Sequence, residues 1–204
     1  MNEERFHRRE LVAEVLAGAD DRLLVVAGLG QSAWDVTAAG DRSLNLPLWG
    51  AMGGTLSVGL GLALARPERR VLVITGDGDM LMGVGSLATV AAQRPSNLAI
   101  LVLDNERFGE TGNQATHTAP VQAPKEERGA GTDLALMARG AGIADSDTVH
   151  GPKGMERLRH DLLKGEGPVF RVAKVLVEPL PLVLPPRDGA HLKERFRQAL
   201  LGEA

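Results

Sequence analysis

The apolar residues Leu11, Val12, Val15 and Leu16 recur at helical spacing and predict a helix over Phe6–Leu16. Leu23-Leu24-Val25-Val26-Ala27, closed by Gly28, then reads as a short buried strand. A second helix is expected near Ser32–Ala39 and a short strand at Ser43–Leu46. The segment Gly53–Ala65, GGTLSVGLGLALA, is small and apolar nearly all round, which predicts a helix buried on every side and pressed close to its neighbours. Val71–Thr75 and Leu98–Leu103 are the clearest strands, aliphatic or β-branched throughout. A helix-length segment around Gly83–Ala92 separates them, making a βαβ unit. Further helices are expected at Thr132–Arg139, Lys153–Leu163 and Ala190–Leu201, with a strand at Val169–Val175.

This alternation predicts an α/β fold, a doubly wound parallel sheet with helices on both faces, as a single domain over residues 1–204. Ligands of such folds sit at the carboxyl ends of the strands. Two stretches interrupt the pattern. Asn105–Gly131 is too long for a mere connector and is either a functional lid or disordered. The run containing Pro179, Pro181, Pro185 and Pro186 predicts a stiff linker, 179–188, presenting a terminal helix, 190–201. In that helix Leu192, Phe196 and Leu200 form an apolar stripe for docking on the same or a partner subunit.

Composition excludes several classes of function. With 44% apolar and 24% charged residues the 204-residue chain is globular rather than disordered. A net charge of −3 provides no general field toward nucleic acid or an acidic membrane surface. The absence of cysteine removes disulfides, thiolate metal sites and Cys nucleophiles, so any metal must use oxygen or nitrogen ligands. The N-terminus lacks the pattern of a signal peptide and no apolar run reaches membrane-spanning length, so the expected location is cytoplasmic.

The strongest chemical signal is Gly76-Asp77-Gly78 at the end of one strand, with Asn105 following Asp77 by 28 positions at the end of the next. On neighbouring strands, roughly 5 Å apart, Asp77 and Asn105 converge on one point, each offering an oxygen. Hard oxygen donors of this kind suit Mg²⁺, which completes its octahedron with phosphate oxygens, a carbonyl and water. Gly76 and Gly78 let the backbone approach a phosphate, and the following helix aims its first N–H groups at the anion. The bland alternative is a strand-to-helix turn with Asp77 as its cap, which the pairing with Asp104-Asn105 disfavours.

The GDGDMLMGVGSLATV segment, its spacing to Asp104-Asn105, and LWGAMGG upstream resemble the diphosphate-binding domain of thiamine diphosphate enzymes over nearly the whole chain. Within them, Asp104 to Gln114 (DNERFGETGNQ) is most similar to the decarboxylase branch acting on sulfopyruvate and phosphonopyruvate. The resemblance implies Asp77, Asn105 and the Arg107 carbonyl as Mg²⁺ ligands, and backbone N–H groups of Gly78 and Asp79 toward the diphosphate. It also implies that the Gly50 carbonyl and Met52 amide bond the aminopyrimidine, with the Met52 side chain wedged between the two rings to hold the cofactor bent. In such enzymes a Glu on a separate pyrimidine-binding domain activates the cofactor. No second domain of that kind fits in 204 residues, so the expected active site is shared with a pyrimidine-domain subunit in a hetero-oligomer, acting on a small 2-oxo acid.

Three positions leave alternatives open. Asp79 places a second carboxylate beside the diphosphate and either faces away as a helix cap or weakens cofactor binding. The Arg107 guanidinium either meets an anionic substrate group or lies in solvent. His117 would hold the substrate acid or deliver a proton after CO₂ leaves, against simple exposure on a loop. Two other enzyme readings compete. An acetolactate synthase-like carboligase would use the same residues, whereas a nicotinamide enzyme would use Gly28-Leu29-Gly30-Gln31-Ser32-Ala33, a relaxed dinucleotide pattern lacking an acid at the end of the next strand. A non-catalytic cofactor-binding subunit is the remaining alternative.

Overall fold

The computed structural model describes residues 4–120 and 131–202. Six parallel strands form its sheet: β1 (Leu23–Ala27), β2 (Asn45–Pro47), β3 (Arg70–Gly76), β4 (Leu98–Asp104), β7 (Ser146–Val149) and β8 (Val169–Lys174), in the order β2-β1-β3-β4-β8-β7. A two-stranded hairpin, β5 (Arg107–Phe108) and β6 (Gln114–Ala115), follows β4. The central strands are buried on both faces, which explains why they read as unbroken aliphatic runs.

Helices cover both faces. On one side α1 (Arg8–Leu16), α2 (Gln31–Ala38) and α7 (Met155–Lys164) pack against Val25, Leu72, Ile74, Ala99 and Leu101. On the other, α3 (Thr55–Ala65), α4 (Asp77–Met82), α5 (Ser86–Gln93), α6 (Leu134–Ala141) and α8 (Gly189–Leu201) pack against Leu24, Val26, Val73, Ile100 and Phe170. Burying each such side chain contributes about 1.5–3 kcal/mol, so these two layers carry most of the fold's stability.

The structure departs from sequence expectation in three elements. The helix after β3 begins directly at Asp77 and ends at Met82, and a separate α5 starts at Ser86, where a single helix over Gly83–Ala92 is expected. The acidic Asp77 and Asp79 in the first turn suit its positive end, and Gly83 and Gly85 interrupt it. The edge strand β7, SDTV, is too short and polar to announce itself. Finally, α3 is not buried all round. Leu56, Gly59, Leu60 and Ala63 face the sheet, with Gly59 so close to β3 that a Cβ there would collide with Val73 Cγ2. Its other side, with Ser57, Val58, Gly61 and Leu64, is exposed although it carries no charge.

After β8 the chain crosses the surface by way of Pro181, whose carbonyl accepts from Arg9 at 2.8 Å, and Pro186, whose carbonyl accepts from Trp49 Nε1 at 2.7 Å. Asp188 caps α8 by accepting from the N–H groups of Ala190 and His191. The stripe of α8 docks on this same chain: Leu192 and Phe196 are buried, Arg195 forms a two-pronged pair with Asp41, and Arg66 donates to the Leu200 carbonyl.

Candidate functional site

The chain runs from β1 outward to β2 and then crosses back to β3, so the strand order reverses between β1 and β3. Ligands of open parallel sheets bind at such a point, because loops from the two strands diverge there and leave a crevice. The crevice is present: Leu29 after β1 and Gln31 and Ser32 at the start of α2 meet Gly76–Asp79 after β3, and Asn105 and Arg107–Thr111 after β4, around a cleft of about 140 Å³.

Strands β3 and β4 are direct neighbours, with Gly76 opposite Leu103, which puts Asp77 and Asn105 at adjacent strand tips as expected from their spacing. Asp77 is 1% exposed, and its Oδ2 accepts from the hydroxyls of Thr116 and Thr118, the latter at 2.9 Å. Thr118 Oγ1 also lies 2.8 Å from Asp104 Oδ1, and Asp104 Oδ2 is paired with Lys174 Nζ at 2.7 Å. Burial and the neighbouring charge of Asp104 push the Asp77 carboxyl up to about 6, although both hydroxyls pull it the other way. Among the described residues Asp77 forms no ion pair. Asn105 is aimed from two sides: its Oδ1 accepts from Arg107 N, at the start of β5, at 2.9 Å and its Nδ2 donates to Gln31 Oε1, at the start of α2, at 3.0 Å.

A buried carboxylate without a counter-charge, beside an amide and a strand-end backbone, fits a divalent cation. No group of three or more His, Cys, Asp or Glu suited to a metal occurs among the described residues. A cation here therefore draws its remaining ligands from carbonyls, water and the phosphates of a bound molecule, which is the habit of Mg²⁺. Gly76 faces open space, leaving the backbone accessible, whereas Gly78 faces the Phe108 ring, whose Cε1 would lie 2.5 Å from a Cβ.

Asp79 turns away from this point. Its Oδ1 accepts from Gly53 N at 2.5 Å, and its Oδ2 accepts from Thr55 Oγ1 at 2.7 Å and from Thr75 Oγ1. The carboxylate thus fastens the start of α3 and the Met52 loop to the end of β3. Gly83 completes this junction, since a Cβ there would collide with the Gly53 carbonyl oxygen. The loop is tightly wound, with Ala51 and Gly53 both at positive φ, and it brings Met52, 38% exposed, to the edge of the cleft.

Met52, Gly76, Asp77, Gly78, Asp79, Asn105 and Arg107 all line the one cleft. Gly50 lies outside its lining, exposed at the start of the Met52 loop. His117 is also outside it and exposed, because Thr116 and Thr118 point inward and the alternation of an extended chain turns the residue between them outward. Asn105–Gly131, expected as either a functional lid or a disordered stretch, forms the β5-β6 hairpin and the Thr116–Thr118 anchor within its described part, and 121–130 lie outside the described residues.

Sequence reasoning missed Gln31, Ser32, Thr116, Thr118, Lys174 and Arg8. The first two sit in the glycine loop that matched a dinucleotide pattern, and the threonines in a stretch without periodicity. Arg8 lies far upstream in the chain but lines the cleft, almost wholly buried and 2.9 Å from Asp35. Burial lowers the Arg8 pKa, and Asp35 counteracts part of that effect.

Residues 28–172 match the family described as thiamine pyrophosphate enzyme, C-terminal TPP binding domain. The chain is 31% identical to the sulfopyruvate decarboxylase subunit beta of Methanocaldococcus jannaschii over 95% of its own length and 96% of that protein's. It is 34% identical to the subunit of the same name from Methanothermobacter thermautotrophicus, over 93% of each chain. Against the phosphonopyruvate decarboxylase of Streptomyces viridochromogenes identity is 46%, over 49% of this chain and 25% of that one. An X-ray structure from Mycobacterium smegmatis, of a protein assigned to the thiamin diphosphate-dependent enzymes, shares the fold with a TM-score of 0.63 at 22% identity, covering 82% of this chain and 31% of that one.

Proposed function

Because the chain belongs to the thiamine pyrophosphate enzymes, as their C-terminal cofactor-binding domain, we propose that it is the diphosphate-binding subunit of a thiamine diphosphate-dependent decarboxylase of 2-oxo acids of the sulfopyruvate and phosphonopyruvate kind. The single observation that carries this reading is the meeting of Asp77 and Asn105 at adjacent strand tips in one cleft, on a chain that matches decarboxylase beta subunits along nearly its full length.

Asp77, Asn105 and the Arg107 carbonyl would hold Mg²⁺. The first-turn N–H groups of α4, which have no partner within the helix, would meet the diphosphate. When bound, thiamine diphosphate supplies the carbanion and the electron sink that loss of CO₂ from a 2-oxo acid requires. The Gly50 carbonyl and Met52 amide would orient the aminopyrimidine, and the Met52 side chain would fix the angle between the rings. Arg107, which lines the cleft and whose Nη1 donates to the Glu106 carbonyl at 3.0 Å, would hold the substrate's acid group through its remaining guanidinium N–H groups. His117 faces outward, so a part for it depends on the surface that a partner completes.

Two features support a separate pyrimidine-domain partner supplying the activating Glu. The cleft encloses only about 140 Å³, against the roughly 300–1,000 Å³ of ordinary small-molecule sites. The neighbouring helices α3 and α5 also contain no charged residue, yet expose Val58, Leu64, Ala88 and Ala92, whereas α1 and α7 on the opposite face are rich in charge. An uncharged apolar outer face is what a stable subunit interface requires.

The test is calorimetric titration of thiamine diphosphate into the chain co-expressed with a pyrimidine-domain chain, with and without Mg²⁺, followed by assay of CO₂ release from sulfopyruvate and phosphonopyruvate. Mg²⁺-dependent binding with CO₂ and aldehyde release is expected. Binding of NADH in place of thiamine diphosphate, or carboligation without aldehyde release, would overturn the assignment.

A further inference from the structure

We propose that Thr116 and Thr118 are positioning residues that restrict Asp77 to one-oxygen coordination of the divalent cation, and so bias the site toward Mg²⁺ over the larger Ca²⁺; this rests on the cofactor reading above. Both hydroxyls reach the same carboxylate oxygen, Oδ2 of Asp77. They also lie 2.9 Å from each other, so they act as one clamp. Thr118 Oγ1 also lies 2.8 Å from Asp104 Oδ1, so its single proton is shared between the two carboxylates, and Asp104 is in turn held by Lys174 Nζ at 2.7 Å and Glu106 N at 3.1 Å. The clamp therefore hangs on a charge-neutralised support outside the cleft.

With Oδ2 taken up by the threonine hydroxyls, the carboxylate would offer Oδ1 to an ion and resist the rotation that two-oxygen contact needs. Mg²⁺ requires a near-ideal octahedron at about 2.0–2.1 Å, while Ca²⁺ accepts carboxylates through one or both oxygens at about 2.3–2.6 Å. Without the clamp the carboxylate rotates. The smaller ion then loses a preorganised ligand, and the larger ion gains the option of two-oxygen contact. The local backbone does not depend on the hydroxyls, because Thr116 N donates to the Glu106 carbonyl and Ala119 N to the Thr116 carbonyl whatever the side chains are.

The experiment uses the chain co-purified with its pyrimidine-domain partner and measures the thiamine diphosphate Kd in MgCl₂ and in CaCl₂ for wild type, Thr116→Val, Thr118→Val and Thr118→Ser. Each valine variant is expected to lose about 10–100-fold in affinity with Mg²⁺, the range for partners that orient a metal ligand, and no more than a few-fold with Ca²⁺. Thr118→Ser keeps the hydroxyl and is expected to match wild type with both ions. Equal losses with the two ions, no loss in the valine variants, or a loss in the serine variant would each overturn the proposal. Should Thr118→Val fail to fold, Thr116→Val and Thr118→Ser still decide it. Wild type that binds no cofactor with either ion refutes the cofactor reading and this inference together, whereas wild-type binding with unresponsive variants refutes the clamp alone.

Discussion

Replacing Asp77 by Asn should stabilise the cofactor-free chain at neutral pH while abolishing Mg²⁺-dependent cofactor binding. The Asp77 carboxyl is pushed up to about 6 in the folded chain from an ordinary value of 3.8, chiefly by burial and then by Asp104. Between those values the native state holds the proton more tightly than the unfolded chain. This contribution to stability is therefore complete below pH 3.8 and is lost as pH rises through 6. A gap of about two pH units at about 1.4 kcal/mol each amounts to about 3 kcal/mol, of which about 2 falls between pH 4.5 and 7.5. The Asn side chain has similar shape and its carbonyl can still accept from Thr116 and Thr118, so packing is preserved. The assay is urea denaturation of both proteins across pH 4.5–7.5. Every other titrating group is shared, so the difference between the two stabilities reports position 77 together with its interaction with Asp104. It should move by about 2 kcal/mol in favour of Asn as pH rises. A difference that stays flat across this range would refute the claim that an uncompensated carboxylate awaits a cation.

Three further outcomes follow from the packing. Asp79→Ala leaves the donors of Gly53, Thr55 and Thr75 without their shared acceptor and should cost about 2–4 kcal/mol, read as a lower denaturation midpoint, together with weaker cofactor binding through a displaced Met52 loop. Gly83→Ala forces a methyl against the Gly53 carbonyl and should cost about 1–3 kcal/mol; an unchanged thermal midpoint would contradict that contact. Val58→Asp lies on the exposed face of α3, so it should leave the stability of the free chain within about 0.5 kcal/mol while preventing co-purification with a pyrimidine-domain subunit.

The parallel α/β plan and the central pair of strand tips are legible in the order of residues alone. Strands buried on both faces must be aliphatic throughout, and an acid and an amide ending successive strands of one βαβ unit can only meet at one end of the sheet. That order also shows that Gly53–Ala65 is a helix, but not which side is covered, because a helix apolar all round reads the same whether the sheet or a second subunit takes each face. The direction of Asp79 emerges only once the chain is packed, since the donors that claim it lie 26 and 24 positions upstream at Gly53 and Thr55, as well as nearby at Thr75. So do the clamp on Asp77, built from threonines 39 and 41 positions downstream, and the arrival of Arg8 at the cleft. Periodicity reports which face of an element is apolar, and it carries no record of which distant hydroxyl or guanidinium folding brings to a carboxylate.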